Sequence, residues 1–197
     1  AWSVLTKPVM AAMGLSLGQT TWAFSIAILF LGLSAGFLGG FVERMGPSRS
    51  GLLSACFFAL GMLGTGYAIS VKSTPLLYLF YGFIGGIGLG TGYITPVSTL
   101  VKWFPRHRGF ATGMAIMGFG FAALIAGPVM QHLTAAYGLV NNFLIMGCVY
   151  FVIMCASASY LRPPRKGEIK QSLEDVLKEE AARGNKRTIL GPQMTRR

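Results

Sequence analysis

Apolar residues in this chain come in long blocks, with no strict alternation of apolar and polar positions. Five blocks stand out: about Thr20 to Val42, Gly51 to Ser70, Leu76 to Val101, Gly109 to about Leu133, and about Asn141 to Leu161. A helix needs about 20 apolar residues to cross the hydrocarbon core of a bilayer. Every block reaches that length, the second only just. Inside lipid, only helices and closed barrels satisfy all backbone polar groups, and the alternation of a barrel strand is missing. The pattern therefore predicts an all-α integral membrane protein. Residues 1–162 form a helical bundle, and residues 163–197 form a basic segment outside it. The connections ERMGPSRS, VKSTP, KWFPRHR and TAAYGLV are short, which sets neighbouring helices antiparallel.

The two ends have their own patterns. Ala1 to Pro8 reads as the outer end of a helix whose body precedes it, and restoring that body gives six spans. Pro163 and Pro164 stop the last span. Beyond them, Ser172 to Asp175 resembles a capping box, and Glu174 stands four residues before Lys178. A short surface helix from about Ser172 to Ala182 is expected there, with a solvated linker as the plainer alternative.

Composition agrees with the pattern. The chain is 53% hydrophobic and only 12% charged, with 27 glycines in 197 residues. Its formal net charge of +11 would suit nucleic acid, but the placement of the charges argues against that. Ten of the 17 basic residues lie from Arg162 onward, and the rest fall in connections or near the N-terminus. Arg44, Arg49, Lys102, Arg106 and Arg108 flank the first and third connections, the second has only Lys72, and the fourth has none. Read by the positive-inside rule, the first and third connections and the tail are cytoplasmic and Lys7 is outside. A multi-pass protein of a bacterial inner membrane is the expected setting. Cys56, Cys148 and Cys155 all fall in apolar blocks without metal spacing. No cofactor or metal is called for. Paired acids, or a nucleophile beside a base, are missing, so an enzyme ranks last.

The stretch GGIGLGTGY, Gly85 to Tyr93, poses the sharpest local question. Its alternate glycines do not fit G-x-G-x-x-G, no GK[ST] follows, and there is no acid between Arg44 and Gly167. A phosphate loop is therefore disfavoured. From Leu76 to Val101 there is no charge, so the stretch belongs to a span. Gly82, Gly86 and Gly90 then share one helix face, with Gly88 and Gly92 in an adjacent row. In lipid, small residues let helix backbones approach closely. The run reads as a packing seam.

The first connection carries a wider resemblance. Gly39-Gly40-Phe41-Val42-Glu43-Arg44-Met45-Gly46-Pro47-Ser48-Arg49 resembles the signature loop of the major facilitator superfamily, with Gly39, Glu43, Arg44, Gly46 and Arg49 at matching places. Pro47 and Ser48 depart from its usual basic residues. Within that superfamily, GLGTGYITPVSTLVKWFPRHRGFATGMAIMGFGFAALIAGP looks like the oxalate:formate antiporter family, relatives of the monocarboxylate transporters. AWSVLTKP and TWAFSIAILFLG look like it too.

The resemblance implies twelve helices in two halves, a site between them and alternating access. This chain would be helices two to six and the central linker, an incomplete N-terminal half. Its partners would be a small carboxylate, membrane lipid and the missing C-terminal half. The expected function is transport of small mono- or dicarboxylates such as oxalate, formate, lactate or pyruvate, by exchange or with protons. A non-transporting scaffold that binds a partner through its tail is the alternative. No cation lies deep in a span, so this chain would supply a wall of the site and not its charge. Tyr93 is a candidate for that wall, its hydroxyl meeting either a substrate oxygen or a neighbouring helix. Phe119, between Gly118 and Gly120, is carried over from the family as the second substrate-binding candidate. Glu43 is expected to take part in a gate, with acceptor contacts to helix N–H groups or to Arg44 and its neighbours. Thr95, Ser98 and Thr99 are expected to bond their own backbone. Pro96 and Pro128 are candidate kinks, and Trp22 and Trp103 read as interfacial anchors.

Overall fold

The computed structural model describes residues 2–104 and 107–161. The anticipated tail helix from Ser172 to Ala182 lies outside the described residues. Among the described residues six helices follow in order: α1 Trp2–Met13, α2 Leu17–Met45, α3 Pro47–Ser70, α4 Thr74–Trp103, α5 Arg108–Tyr137 and α6 Leu139–Tyr160. The last five are long and apolar enough to cross a membrane.

Most helices run a few residues past the apolar blocks, and α2 begins with a side-chain cap. Ser16 starts α2 with a capping box. Gln19 N–H donates to Ser16 Oγ at 3.3 Å, and Ser16 N–H donates to Gln19 Oε1 at 3.0 Å. ERMGPSRS and TAAYGLV are hardly loops at all, since each shrinks to a single glycine corner. Gly46 and Gly138 have φ of +86° and +82°, a region that suits a residue without a Cβ. Gly46 N–H closes α2 on the Val42 carbonyl, and Pro47 opens α3, where its missing N–H costs nothing.

α3 is the most buried helix. α4 and α6 pack on it, and α2 packs on the far side of α4. α5 lies at the edge, touching α6, α4 and α1, with Phe121, Leu124 and Ile125 among its exposed side chains. α1 fits into the end of the bundle where α3 stops and α6 begins. Its Leu5 and Val9 join Leu77, Met130, Phe143 and Met146 in one buried apolar cluster.

The opening part of α4, Tyr78–Ile84, is wound as a π-helix, which the sequence pattern did not suggest. It lies over bare backbone. The Phe80 ring rests on Gly64 of α3, and Gly82 meets Ile26 of α2. Tyr78 donates its phenol to the Gln19 carbonyl of α2 at 3.0 Å.

Candidate functional site

The glycines of α4 fix where its remaining side chains stand. A Cβ added at Gly82 would come within 2.7 Å of Ile26 Cγ2, and one at Gly86 within 2.7 Å of the Ala27 carbonyl oxygen. At Gly90 it would meet Ser34 Oγ and, at 2.5 Å, the Leu31 carbonyl oxygen. All three contacts are with α2. The other row meets α3: a Cβ at Gly88 would lie 2.5 Å from Phe58 N, and one at Gly92 2.5 Å from Ser54 Oγ. Residues two apart on a helix point to nearly opposite sides, so the alternating glycines make two seams. α4 is held between α2 and α3 at backbone distance.

Hydroxyls reinforce the second seam. Ser54 donates to the Gly88 carbonyl at 2.7 Å, and Ser50 and Thr95 share a hydrogen bond of 3.0 Å. Thr95, Ser98 and Thr99 also donate to carbonyls of their own helix, at 2.7, 3.2 and 2.7 Å.

With two sides of α4 occupied, Tyr93 meets α5. Its ring and that of Phe119 are 5.3 Å apart between centroids and inclined at 47°. Aromatic pairs favour such offset, tilted contacts. Tyr93 is half-buried and Phe119 is 41% exposed, so the pair has a packed side and an open side. The Tyr93 hydroxyl makes no hydrogen bond among the described residues. Beside the pair, a Cβ at Gly113, Gly118 or Gly120 of α5 would meet nothing within 4 Å. This arrangement can offer a polar oxygen and two ring faces to a flat ligand, but it offers no cation.

The signature residues gather along the last turns of α4, from beside Tyr93 to its C-terminal end. Gly39 lies against Ile94, where an added Cβ would be 3.0 Å from Cδ1. Arg44 and Arg49 are exposed on either side of the Gly46 corner. Glu43 pairs with Lys102 in the last turn of α4, Oε1 to Nζ 3.3 Å. That is neither of the contacts the sequence suggested. Its partner lies 59 residues along the chain, and spacing alone could not disclose it.

Comparison with known proteins gives the fold its family. The chain matches the Major Facilitator Superfamily over residues 1–193. It is 27% identical to the uncharacterized MFS-type transporter YhjX of Escherichia coli (strain K12), over 87% of this chain and 42% of that protein. It is 27% identical to the oxalate:formate antiporter of Oxalobacter formigenes, over 87% of this chain and 40% of that protein. It is also 27% identical to human monocarboxylate transporter 14, over 78% of this chain and 29% of that protein. The chain thus spans less than half the length of these relatives. Five membrane-length helices, the glycine-cornered signature motif and this match place the chain, as an integral multi-pass membrane protein, in the major facilitator superfamily.

Proposed function

We propose that this chain is part of a secondary transporter of small organic carboxylates that works by alternating access. The observation that carries the reading is the Tyr93–Phe119 pair inside two membrane-length helices, an open ring and a phenol with no hydrogen-bond partner among the described residues. Similarity to an oxalate:formate antiporter and a monocarboxylate transporter supports carboxylates as the substrate class.

A bare carboxylate is costly in a dry site and needs positive charge or strong donors. Tyr93 supplies one donor, and the cation comes from helices beyond this chain. Those helices have two faces to meet. Gly32, Gly36 and Gly40 line one side of α2, where an added Cβ meets nothing within 4 Å, and Gly113, Gly118 and Gly120 do the same on α5. In this reading the chain is helices two to six of the N-terminal half, packing on a C-terminal half across those bare faces. Glu43 acts at a gate on the cytoplasmic side, which the basic residues Arg44, Arg49 and Lys102 mark. The basic tail lies on that same side, and the membrane is a bacterial inner membrane.

The test is uptake of labelled oxalate, formate, lactate and pyruvate into proteoliposomes holding the whole protein. Saturable uptake of at least one, accelerated by unlabelled carboxylate or by a proton gradient on the other side, is expected. Uptake no faster than in empty vesicles for all four would overturn the reading.

A further inference from the structure

Four backbone positions among the described residues have positive φ. Three are glycines: Gly14 at +66°, Gly46 at +86° and Gly138 at +82°, each where one helix gives way to the next. The fourth is Lys72, at +52°, in the corner between α3 and α4. The hydrogen bonds of that corner define a glycine position. Ser73 N–H donates to the Ala68 carbonyl at 3.0 Å, and Lys72 N–H donates to the Ile69 carbonyl at 3.1 Å. This pair of bonds closes a helix through one left-handed residue, most often glycine, because a Cβ makes that region costly. The chain has 27 glycines and uses one at each of the other three places, yet lysine stands here.

Packing gives the lysine no task. Its side chain is exposed and its ammonium makes no ion pair among the described residues. Its charge is what sets it apart. The corner lies at the end of the bundle away from Glu43, the outer end in the orientation above. Residues 2–31, 59–88 and 123–149 make up the half of the bundle toward that end, and they hold Lys7 and Lys72 but no Asp or Glu. At the other end Glu43 offsets Lys102. Outer connections of membrane proteins are poor in Lys and Arg. Lys72 thus stands against both the backbone preference and the topological bias. Residues held in sparsely populated backbone regions collect at functional sites.

We propose that Lys72 draws carboxylate anions from the outer solution toward the mouth of the transport path. This rests on the carboxylate reading above. The field of an exposed charge reaches about 10 Å at 0.1 M salt and about 30 Å at 0.01 M. α4 begins two residues after Lys72 and carries Tyr93, so the charge stands at the head of a helix that leads to the candidate site. Steering raises the rate at which an anion arrives and leaves its bound state alone. Its marks are dependence on salt, on the charge of the anion and on the side of entry.

The test is uptake by the whole protein in proteoliposomes, with labelled oxalate, formate, lactate or pyruvate, whichever the wild type carries. Lys72→Gly suits the backbone and removes the charge. At about 0.01 M salt it is expected to raise half-saturation from the outer side about twofold for a monoanion and about fourfold for the oxalate dianion, the effect of one unit charge about 10 Å away in water. At about 0.5 M salt variant and wild type should coincide, because screening removes the field. Lys72→Arg keeps the charge and should match the wild type. The unfolding temperature of Lys72→Gly should equal or exceed that of the wild type. Unchanged outer half-saturation at low salt overturns the proposal, as does a rise that persists at high salt or is equal from the cytoplasmic side. A Lys72→Arg variant that behaves like Lys72→Gly also overturns it. So does a Lys72→Gly protein that unfolds at lower temperature or fails to fold, because the lysine would then serve the corner itself. A wild type that carries none of the four anions sinks the carboxylate reading and this proposal with it. An active wild type whose uptake ignores Lys72 sinks this proposal alone.

Discussion

At the scale of single residues, glycine in α4 is a matter of clearance. Gly86 and Gly90 are in αR helix, where any residue fits the backbone, yet a Cβ at either would fall closer than 3.0 Å to α2 backbone. Backbone cannot swing away as a long side chain can. Gly90→Leu is therefore expected to cost more than the roughly 1–3 kcal/mol typical of overpacked cores, read as loss of the monodisperse peak of the detergent-extracted protein. Normal elution with normal transport would contradict the packing argument. Tyr93 makes the complementary prediction. Its ring packs on Phe119 and its hydroxyl has no protein partner among the described residues, so Tyr93→Phe keeps the packing and removes a donor. Folding should be unchanged, while half-saturation by carboxylate should rise about fivefold, the worth of one net hydrogen bond. Unchanged half-saturation would take Tyr93 out of the site. The close approach at the glycines was legible from their spacing, and Tyr93 stands out in the chain as a phenol inside a chargeless span.

At the scale of elements, hydroxyls and small residues join the helices where large side chains would hold them apart. Ser54→Ala removes the hydrogen bond to the Gly88 carbonyl and leaves that carbonyl to its own helix. About 1 kcal/mol of stability should be lost, in line with hydrogen bonds between membrane helices, measured by thermal unfolding in nanodiscs. A loss several times larger would mean that Ser54 does more than bridge. Glu43 and Lys102 join α2 to α4 through an ion pair whose side chains are 52% and 46% exposed. Screening holds such pairs to about 0–1 kcal/mol. Glu43→Gln should hardly move the unfolding temperature, yet it should slow transport with half-saturation unchanged if the pair serves the gate. Equal losses in rate and affinity would sink that role. Some element boundaries were readable and went unread: Ser16-Leu17-Gly18-Gln19 spells a capping box, and α2 starts there. The π-helical stretch was not readable in the pattern of its own residues, and it packs on Gly61 and Gly64 of α3, far away in sequence.

At the scale of the whole molecule, the blocks of apolar residues determined the number and kind of the long helices. Lipid cannot satisfy a backbone group, so a chargeless run of that length has few other ways to exist. The sequence also determined the signature motif, and with it the superfamily, since those residues are close neighbours in the chain. What each helix lies against was decided only by the tertiary structure. Hydrophobic periodicity, which orients helices in water, says little in a membrane, where the inside of a bundle is about as apolar as its outside. Alternate glycines could have made one seam or two. Their neighbours show two, which turns Tyr93 toward Phe119. Glu43 found Lys102 and α1 found the cluster around Phe143, each through residues far away in sequence. Short-range pattern determined the elements of this protein, and contacts between distant segments decided which side chains meet.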